Sequence, residues 1–233
     1  MNNLRLFCLL LLLVPCHMAL AGVTDFTVNE SVFSSGPIPD SLFRSMQGRS
    51  FNEPAPVTRE DLRLLTVMYK DFDGLDRKGQ IVCNASIADD LLEIFRELYE
   101  NAYPIESIRL IDDFEGDDMA SMRADNTSCF NVRPKSAFKN GFSAHAYGLA
   151  IDINPLYNPY VRTRDSITRI EPEEAAPYID RGKDFPHKID REDLCCRLFR
   201  AHGFTWGGSW RSMKDYQHFE KAPDMNTAGN SPK

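Results

Sequence analysis

The sequence predicts a single domain of the α+β class, with helices and strands along one chain. Its 233 residues suit one domain, or at most two. Several stretches place apolar residues at helical spacing, and others alternate apolar and polar residues as half-buried strands do. Hydrophobic residues make up 42% of the chain and charged residues 26%, which are globular values. This composition excludes a wholly disordered chain, a collagen and a coiled coil.

Three helices are predicted. The first begins at Thr58 and carries Leu62, Leu65, Met68 and Tyr69 on one face, the second follows a cap at Ser86, and the third runs from Asp190 to Gly203. Four segments are predicted as strands: 80–83, 105–114, 127–132 and 148–154. Residues 22–57 are expected to be an irregular lead-in, residues 58–222 the domain, residues 223–233 a frayed tail, and residues 155–190 a long excursion that is functional or disordered.

The first 21 residues have the layout of a secretory signal peptide. Arg5 is the one charged residue, Leu6 to Val14 is a continuous apolar run, and Ala19-Leu20-Ala21 is a small-x-small cleavage site. The run is too short to cross a bilayer, so a membrane anchor is the weaker alternative. We therefore expect a secreted or periplasmic protein with no membrane span after cleavage.

The chain is acidic, with a formal net charge of -7, and no basic stripe is present in the sequence. Because neutralisation of phosphates supplies most nucleic-acid affinity, a nucleic-acid partner is not expected. Four cysteines lie beyond the signal segment, Cys83, Cys129, Cys195 and Cys196. In an oxidising compartment they could form two disulfides, and buried free thiols are the alternative.

Two clusters of residues carry chemistry. The first contains His145 and Asp152, and Gly148 between them allows a sharp turn that could bring the two side chains together. The second contains Asp215 and His218. Two imidazoles and one carboxylate suit a single zinc ion with an open position, as in catalytic sites. Asp215 could then accept a proton from the attacking water.

Taken together, S-x-H-x-x-G-x-A-x-D at 143–152, W-G-G-x-W at 206–210 and D-x-x-H-F at 215–219 resemble the M15 zinc peptidases. That family includes D-alanyl-D-alanine carboxypeptidases and dipeptidases and L-alanyl-D-glutamate endolysins. The resemblance covers less than half of the chain. It implies a hedgehog/D,D-peptidase-like α+β zinc fold with a small antiparallel sheet and flanking helices.

The resemblance also implies residue roles. His145, Asp152 and His218 would bind zinc, and Asp215 would be the general base. An arginine before the first motif would polarise the scissile carbonyl or bind a substrate carboxylate, and Arg133 is the candidate, with Arg123 in reserve. Two further residues, Ser143 and Trp206, would lie at the substrate, with a turn cap and a core tryptophan as the respective alternatives.

The predicted function is a secreted zinc peptidase acting on the stem peptides of peptidoglycan, most simply as a D-alanyl-D-alanine carboxypeptidase. An L-alanyl-D-glutamate endopeptidase and a non-catalytic zinc-bearing binding or signalling domain are the alternatives. A disulfide-stabilised interaction protein with an accidental motif match is a third. His187 and His202 are not expected to be metal ligands.

Overall fold

The computed structural model describes residues 32–133 and 141–222. The predicted signal peptide and the predicted frayed tail lie outside these residues. The helices are α1 (Asp40–Met46), α2 (Ala88–Glu100), α3 (Asp118–Arg123) and α4 (Leu194–Ala201). The strands are β1 (Ser34–Gly36), β2 (Leu62–Lys70), β3 (Asp76–Asn84), β4 (Ser107–Ile108), β5 (Asn126–Thr127), β6 (Ala150–Asp152), β7 (Tyr160–Arg164), β8 (Ile167–Glu171), β9 (Thr205–Trp206), β10 (Lys214–Asp215) and β11 (His218–Glu220).

The described residues form small sheets packed with helices, so the prediction of a mixed helix and strand fold with antiparallel pairing is confirmed. Three sheets of three strands are antiparallel, in the orders β1-β2-β3, β10-β7-β8 and β6-β11-β9. Strands β4 and β5 form a parallel pair. The last two antiparallel sheets position the site described below.

The predicted first helix is wrong. Thr58 donates its backbone N–H and its hydroxyl to the Asp61 carboxylate, but the helical turn that begins there is one short 3-10 turn. The chain then continues as β2, which pairs with β3 over nine residues. Val67 and Tyr69 are buried two residues apart, so the apolar spacing follows a pleated strand. The apolar residues of this segment fit helical spacing nearly as well as strand spacing, and pairing with β3 selects the strand.

The second and third helices are confirmed, and both begin later than predicted. Helix α2 buries Leu91, Ile94, Phe95 and Leu98. Asp193 caps helix α4 by accepting a hydrogen bond from the Cys195 N–H. The predicted cap, Asp190, instead accepts the N–H groups of residues 192 and 193 in the preceding turn.

The strands predicted over 105–114 and 127–132 are much shorter in the structure, as β4 and β5. The side chain of Asn126 accepts a hydrogen bond from the Arg109 N–H at 2.9 Å and donates one to the Arg109 carbonyl at 3.1 Å. The Asn126 side chain therefore takes the backbone hydrogen bonds of Arg109, and the pairing of β4 with β5 ends there. A 3-10 turn, Ile111–Phe114, follows.

Two segments predicted to be irregular carry regular structure. The part of the lead-in that the structure describes contains β1 and α1, and it buries Ile38 and Met46 in the core. The excursion over 155–190 contains the hairpin β7–β8 and a 3-10 turn, Glu173–Tyr178. Arg181 holds the excursion together through hydrogen bonds to the carbonyls of residues 157, 178 and 189 and to the side chain of Asn158.

Cys83, Cys129, Cys195 and Cys196 are free and buried, as in the second alternative above. Burial raises the pKa of the Cys83 and Cys129 thiols well above the usual value, so both stay protonated. Within residues 32–133 and 141–222, no helix is long and apolar enough to cross a membrane.

Candidate active site

Two neighbouring strands and one turn bring the three predicted metal ligands together. Asp152 ends β6 and lies directly opposite His218 on β11. His145 lies in the 3-10 turn Ala144–Tyr147, which ends at Gly148 with a φ of 68°. A Cβ at residue 148 would lie 2.6 Å from the backbone nitrogen of Asn84, so both the conformation and the contact require glycine.

The nitrogen and oxygen atoms of these side chains converge. The His145 Nε2 atom lies 3.1 Å from His218 Nδ1 and 3.3 Å from Asp152 Oδ2, and His218 Nδ1 lies 3.0 Å from Asp152 Oδ1. All three ligand atoms lie within 4.8 Å of one another. In a tetrahedral zinc site with ligand distances of about 2.0–2.1 Å, ligand atoms are about 3.3 Å apart. The donor set and its spacing therefore fit zinc.

The remaining nitrogen of each imidazole is also held. His145 Nδ1 lies 2.6 Å from the Cys129 carbonyl, which can only accept, so Nδ1 carries the proton and Nε2 faces the other ligands. His218 Nε2 lies 3.3 Å from Glu220 Oε2. Carbonyl and carboxylate partners of this kind fix the ring orientation in metal sites.

The electrostatics of Asp152 and His218 reflect how closely the buried side chains are packed. Burial opposes ionisation of Asp152, yet the two histidines hold the pKa of its carboxyl well below the usual range. Burial also opposes a charge on His218, but the hydrogen bonds to Asp152 and Glu220 outweigh it and raise the pKa of His218 to about 10. The carboxylates of Asp152 and Glu220 thus stabilise a positive charge at this position.

Asp215 approaches the same place from a different sheet. It ends β10, where it lies opposite Tyr160 of β7. Its Oδ1 atom is buried and has no hydrogen-bond partner among the described residues. Burial and the neighbouring Asp152 raise the pKa of Asp215 to about 7. A carboxyl group with such a pKa can both accept and release a proton near neutral pH.

All four residues line one cavity of about 400 Å³. Two more buried polar atoms at this cavity, Ser143 Oγ and Gln217 Oε1, lack a hydrogen-bond partner within the described ranges. Ser143 precedes the turn of His145, but its hydroxyl makes no cap hydrogen bond. Since buried polar atoms are normally paired, these atoms are suited to a polar ligand in the cavity.

The two candidate arginines, Arg133 and Arg123, differ in whether they line the cavity. Arg133 lines the cavity and forms an ion pair with Asp118 at its edge. Arg123 lies 4.0 Å from Glu174 and is not among the residues that line this cavity. Arg133 is therefore the one of the two that can reach a ligand there.

The two tryptophans of the W-G-G-x-W segment have different environments. Trp206 is buried in the core and donates its indole N–H to the Tyr216 carbonyl at 2.9 Å. Trp210 lines the cavity, with its ring centroid 5.3 Å from that of His218. Trp206 thus takes the core position that was the alternative to a pocket wall, and the sequence missed Trp210.

The other two histidines lie apart from the cluster. His187 stacks on Phe72 with ring centroids 3.5 Å apart. His202 Nδ1 lies 3.1 Å from Asp90 Oδ1. Neither residue lines the cavity, which agrees with the prediction that they are not ligands.

Further cavity residues were not singled out from the sequence. Glu220 could have been noticed because it follows His218 by two positions on a strand, which places both side chains on one face. Gln217 gave no such signal. Tyr160, Arg169 and Glu171 reach the cavity from the hairpin β7–β8, and the sequence had no pattern that placed this hairpin beside the site.

Part of the chain matches a known protein family. A family model described as D-alanyl-D-alanine carboxypeptidase, Peptidase_M15_4, matches residues 137–221. This segment is therefore similar to the M15 peptidases. The match contains the four residues of the cluster and the hairpin β7–β8, and it starts after Arg133. No solved structure matched the chain. The M15 peptidases are zinc-dependent, in agreement with the donor set found here.

Proposed function

We propose that the protein is a secreted zinc peptidase that hydrolyses the stem peptides of peptidoglycan, with D-alanyl-D-alanine carboxypeptidase activity. One observation carries the proposal: three ligand atoms within 4.8 Å of one another lie beside the unpaired Oδ1 of Asp215 in a cavity. The family match to residues 137–221 supports the reaction class. We assign the domain to residues 58–222, with a hedgehog/D,D-peptidase-like fold.

His145, Asp152 and His218 would hold one zinc ion. Zinc bound there would act as a Lewis acid that acidifies water and polarises the scissile carbonyl. The second nitrogen of each imidazole stays engaged by Cys129 or Glu220, so the rings keep their orientation while the substrate reacts.

Asp215 would carry the proton through the reaction. Its Oδ1 atom would accept a proton from the attacking water and later release it to the amine that leaves. The pKa of about 7 suits both transfers. The Asp215 carboxylate is held in place because Gly207 packs against residue 215 and β10 is paired with β7.

Two residues would bind the substrate beside the reacting bond. The Arg133 side chain is about half exposed in its ion pair with Asp118, so its guanidinium group can turn to the carbonyl oxygen or a carboxylate of the peptide. Ser143 offers an unpaired hydroxyl at the same cavity. Trp206 is left out of this set because it lies in the core.

The test is mass spectrometry of defined muropeptides incubated with the zinc-loaded mature protein, with Asp215→Asn as the matched control. We expect loss of a terminal D-Ala, and a fall in kcat of about 10³-fold in the variant. The variant should keep about one zinc per chain by elemental analysis. Full turnover by Asp215→Asn would refute the base assignment.

The position of the cut separates the alternatives. A cut between L-Ala and D-Glu would make the enzyme an endopeptidase of the same family. Intact peptides after incubation with protein that holds zinc would point to a binding domain. Secretion has its own test, since the exported protein should begin at Gly22 when its N-terminus is sequenced.

A further inference from the structure

The hairpin β7–β8 forms one wall of the candidate active site. Strand β10 pairs with β7, so that Asp215 lies opposite Tyr160 and Lys214 opposite Val161. Strand β7 in turn pairs with β8 over five residues. The hairpin is therefore fixed by a hydrogen-bonded ladder to the strand that carries the proposed general base.

The pairing divides the hairpin into two faces, because residues opposite each other in a ladder point to the same side. The pairs Tyr160–Glu171, Arg162–Arg169 and Arg164–Ile167 share one face, and the pairs Val161–Ile170 and Thr163–Thr168 share the other. Tyr160, Arg169 and Glu171 line the cavity. The first face, with its three arginines, is thus the one that continues outward from the cavity.

The charges on this face do not balance. Arg162 lies directly opposite Arg169, and like charges in that position destabilise a sheet. Arg169 pairs with Glu171, and Arg164 lies 3.5 Å from Asp165. Arg162 makes no ion pair within the part of the chain that the structure describes. Three guanidinium groups therefore have two carboxylate partners, although the chain as a whole is acidic.

All three arginines are exposed. The Arg164–Asp165 pair is exposed on both sides, and such ion pairs are weak and easily exchanged. The Arg169 side chain is 72% exposed although Glu171 is half-buried, so its guanidinium group is also open to a ligand. The planar guanidinium group presents a fork of N–H donors that matches a carboxylate. The unfavourable Arg162–Arg169 pair would be relieved by a bound anion between the two groups.

We propose that this arginine face, Arg162, Arg164 and Arg169, binds the carboxylates of an acidic peptide substrate and makes the enzyme selective for such peptides. The proposal rests on the proposed function in taking the cavity as the place of cleavage. At about 3.3 Å per residue, the face extends about 13 Å from Tyr160 to Arg164. It can therefore reach acidic groups within about four residues of the scissile bond.

The test compares two fluorescent peptides that end in D-Ala-D-Ala. One carries a free side-chain carboxylate two residues before that dipeptide, and the other carries a carboxamide at the same position. Dissociation constants are measured by anisotropy on zinc-loaded Asp215→Asn protein, which should not cleave them. We expect the acidic peptide to bind about 10-fold more tightly, since each exposed pair changes a binding constant about 2–5-fold. Added salt should reduce this preference.

The decisive variants are Arg162→Gln and Arg169→Gln combined, with Arg197→Gln as the control. Arg197 is an exposed arginine on α4, so its replacement changes the net charge without touching the hairpin. The double variant should reduce the preference below about twofold, and the control should keep it. Circular dichroism melting shows that each variant is folded.

The proposal is overturned if the parent protein binds both peptides equally, if it binds neither, or if the double variant retains the preference. Failure of the proposed function gives a different result. In that case the protein with Asp215 intact cleaves neither peptide, while the preference for the acidic peptide and its dependence on the arginines are still measured.

Discussion

Replacing Gly207 by alanine should misplace the proposed general base without removing any charged group. A Cβ at residue 207 would lie 2.6 Å from the Asp215 carbonyl oxygen and 2.8 Å from the Asp215 Cβ. Ordinary contact begins at 3.4 Å, so Asp215 must move by about 0.8 Å. The φ of residue 207 lies outside the left-handed region, so no backbone strain is added. Misplacement by about 1 Å can cost about 10²-fold in rate, and we expect kcat to fall by that factor.

The assay is kcat for release of D-Ala from a D-Ala-D-Ala peptide, measured beside zinc affinity by chelator competition. His218 Cβ lies 3.3 Å from the added methyl group, and β11 is held by strands on both sides. Zinc affinity should therefore change by less than about threefold. Gly36→Ala is the control, because its Cβ would have no atom within 4 Å. An unchanged kcat in folded Gly207→Ala protein, or a loss of zinc that accounts for the lost activity, would refute the reasoning.

Two further predictions concern single carboxylates. Glu220→Gln should weaken zinc binding about 10-fold, because the amide is a weaker partner for His218 Nε2 than the carboxylate at 3.3 Å; chelator competition measures this, and an unchanged affinity would contradict it. Burial raises the pKa of Asp125 to about 7, so the folded state binds a proton that the unfolded state has already lost above about pH 4. The stability of the wild-type protein should therefore fall, relative to Asp125→Asn, as the pH rises from about 4 to 7, by roughly 4 kcal/mol in total. Urea unfolding of both proteins at pH 5 and pH 8 tests the sign, and parallel pH profiles would count against it.

The sequence predicts those elements in which one physical signal dominates. Helix α2 is one such element, since Leu91, Ile94, Phe95 and Leu98 repeat at helical spacing within its thirteen residues. Strand β2 is the opposite case, because its apolar residues fit both periods. The choice there is made by β3, whose sequence lies after a turn. Local pattern cannot resolve a preference that tertiary pairing supplies.

The candidate site shows the same division. The residues at motif spacing, His145, Asp152, Asp215 and His218, are brought together as predicted from the sequence. Of the residues that reach the cavity from outside the motifs, Arg133 was predicted and the others were missed. Trp210 lines the cavity where Trp206 was expected, and Trp206 lies in the core. The hairpin β7–β8 shows why. Its position depends on the pairing of β7 with two-residue β10, and a ladder of that length leaves no periodic signal in the sequence.

Asp215 and His218 are three residues apart, yet they are anchored in different sheets. Asp215 belongs to the sheet β10-β7-β8, and His218 belongs to the sheet β6-β11-β9. The short segment between them therefore joins two sheets, each of which has its own strand pairing. If the proposed roles hold, a different hairpin grafted onto β10 should alter peptide selection while His145, Asp152 and His218 keep their positions. The hairpin and the candidate metal ligands can therefore vary separately, by design or by natural variation.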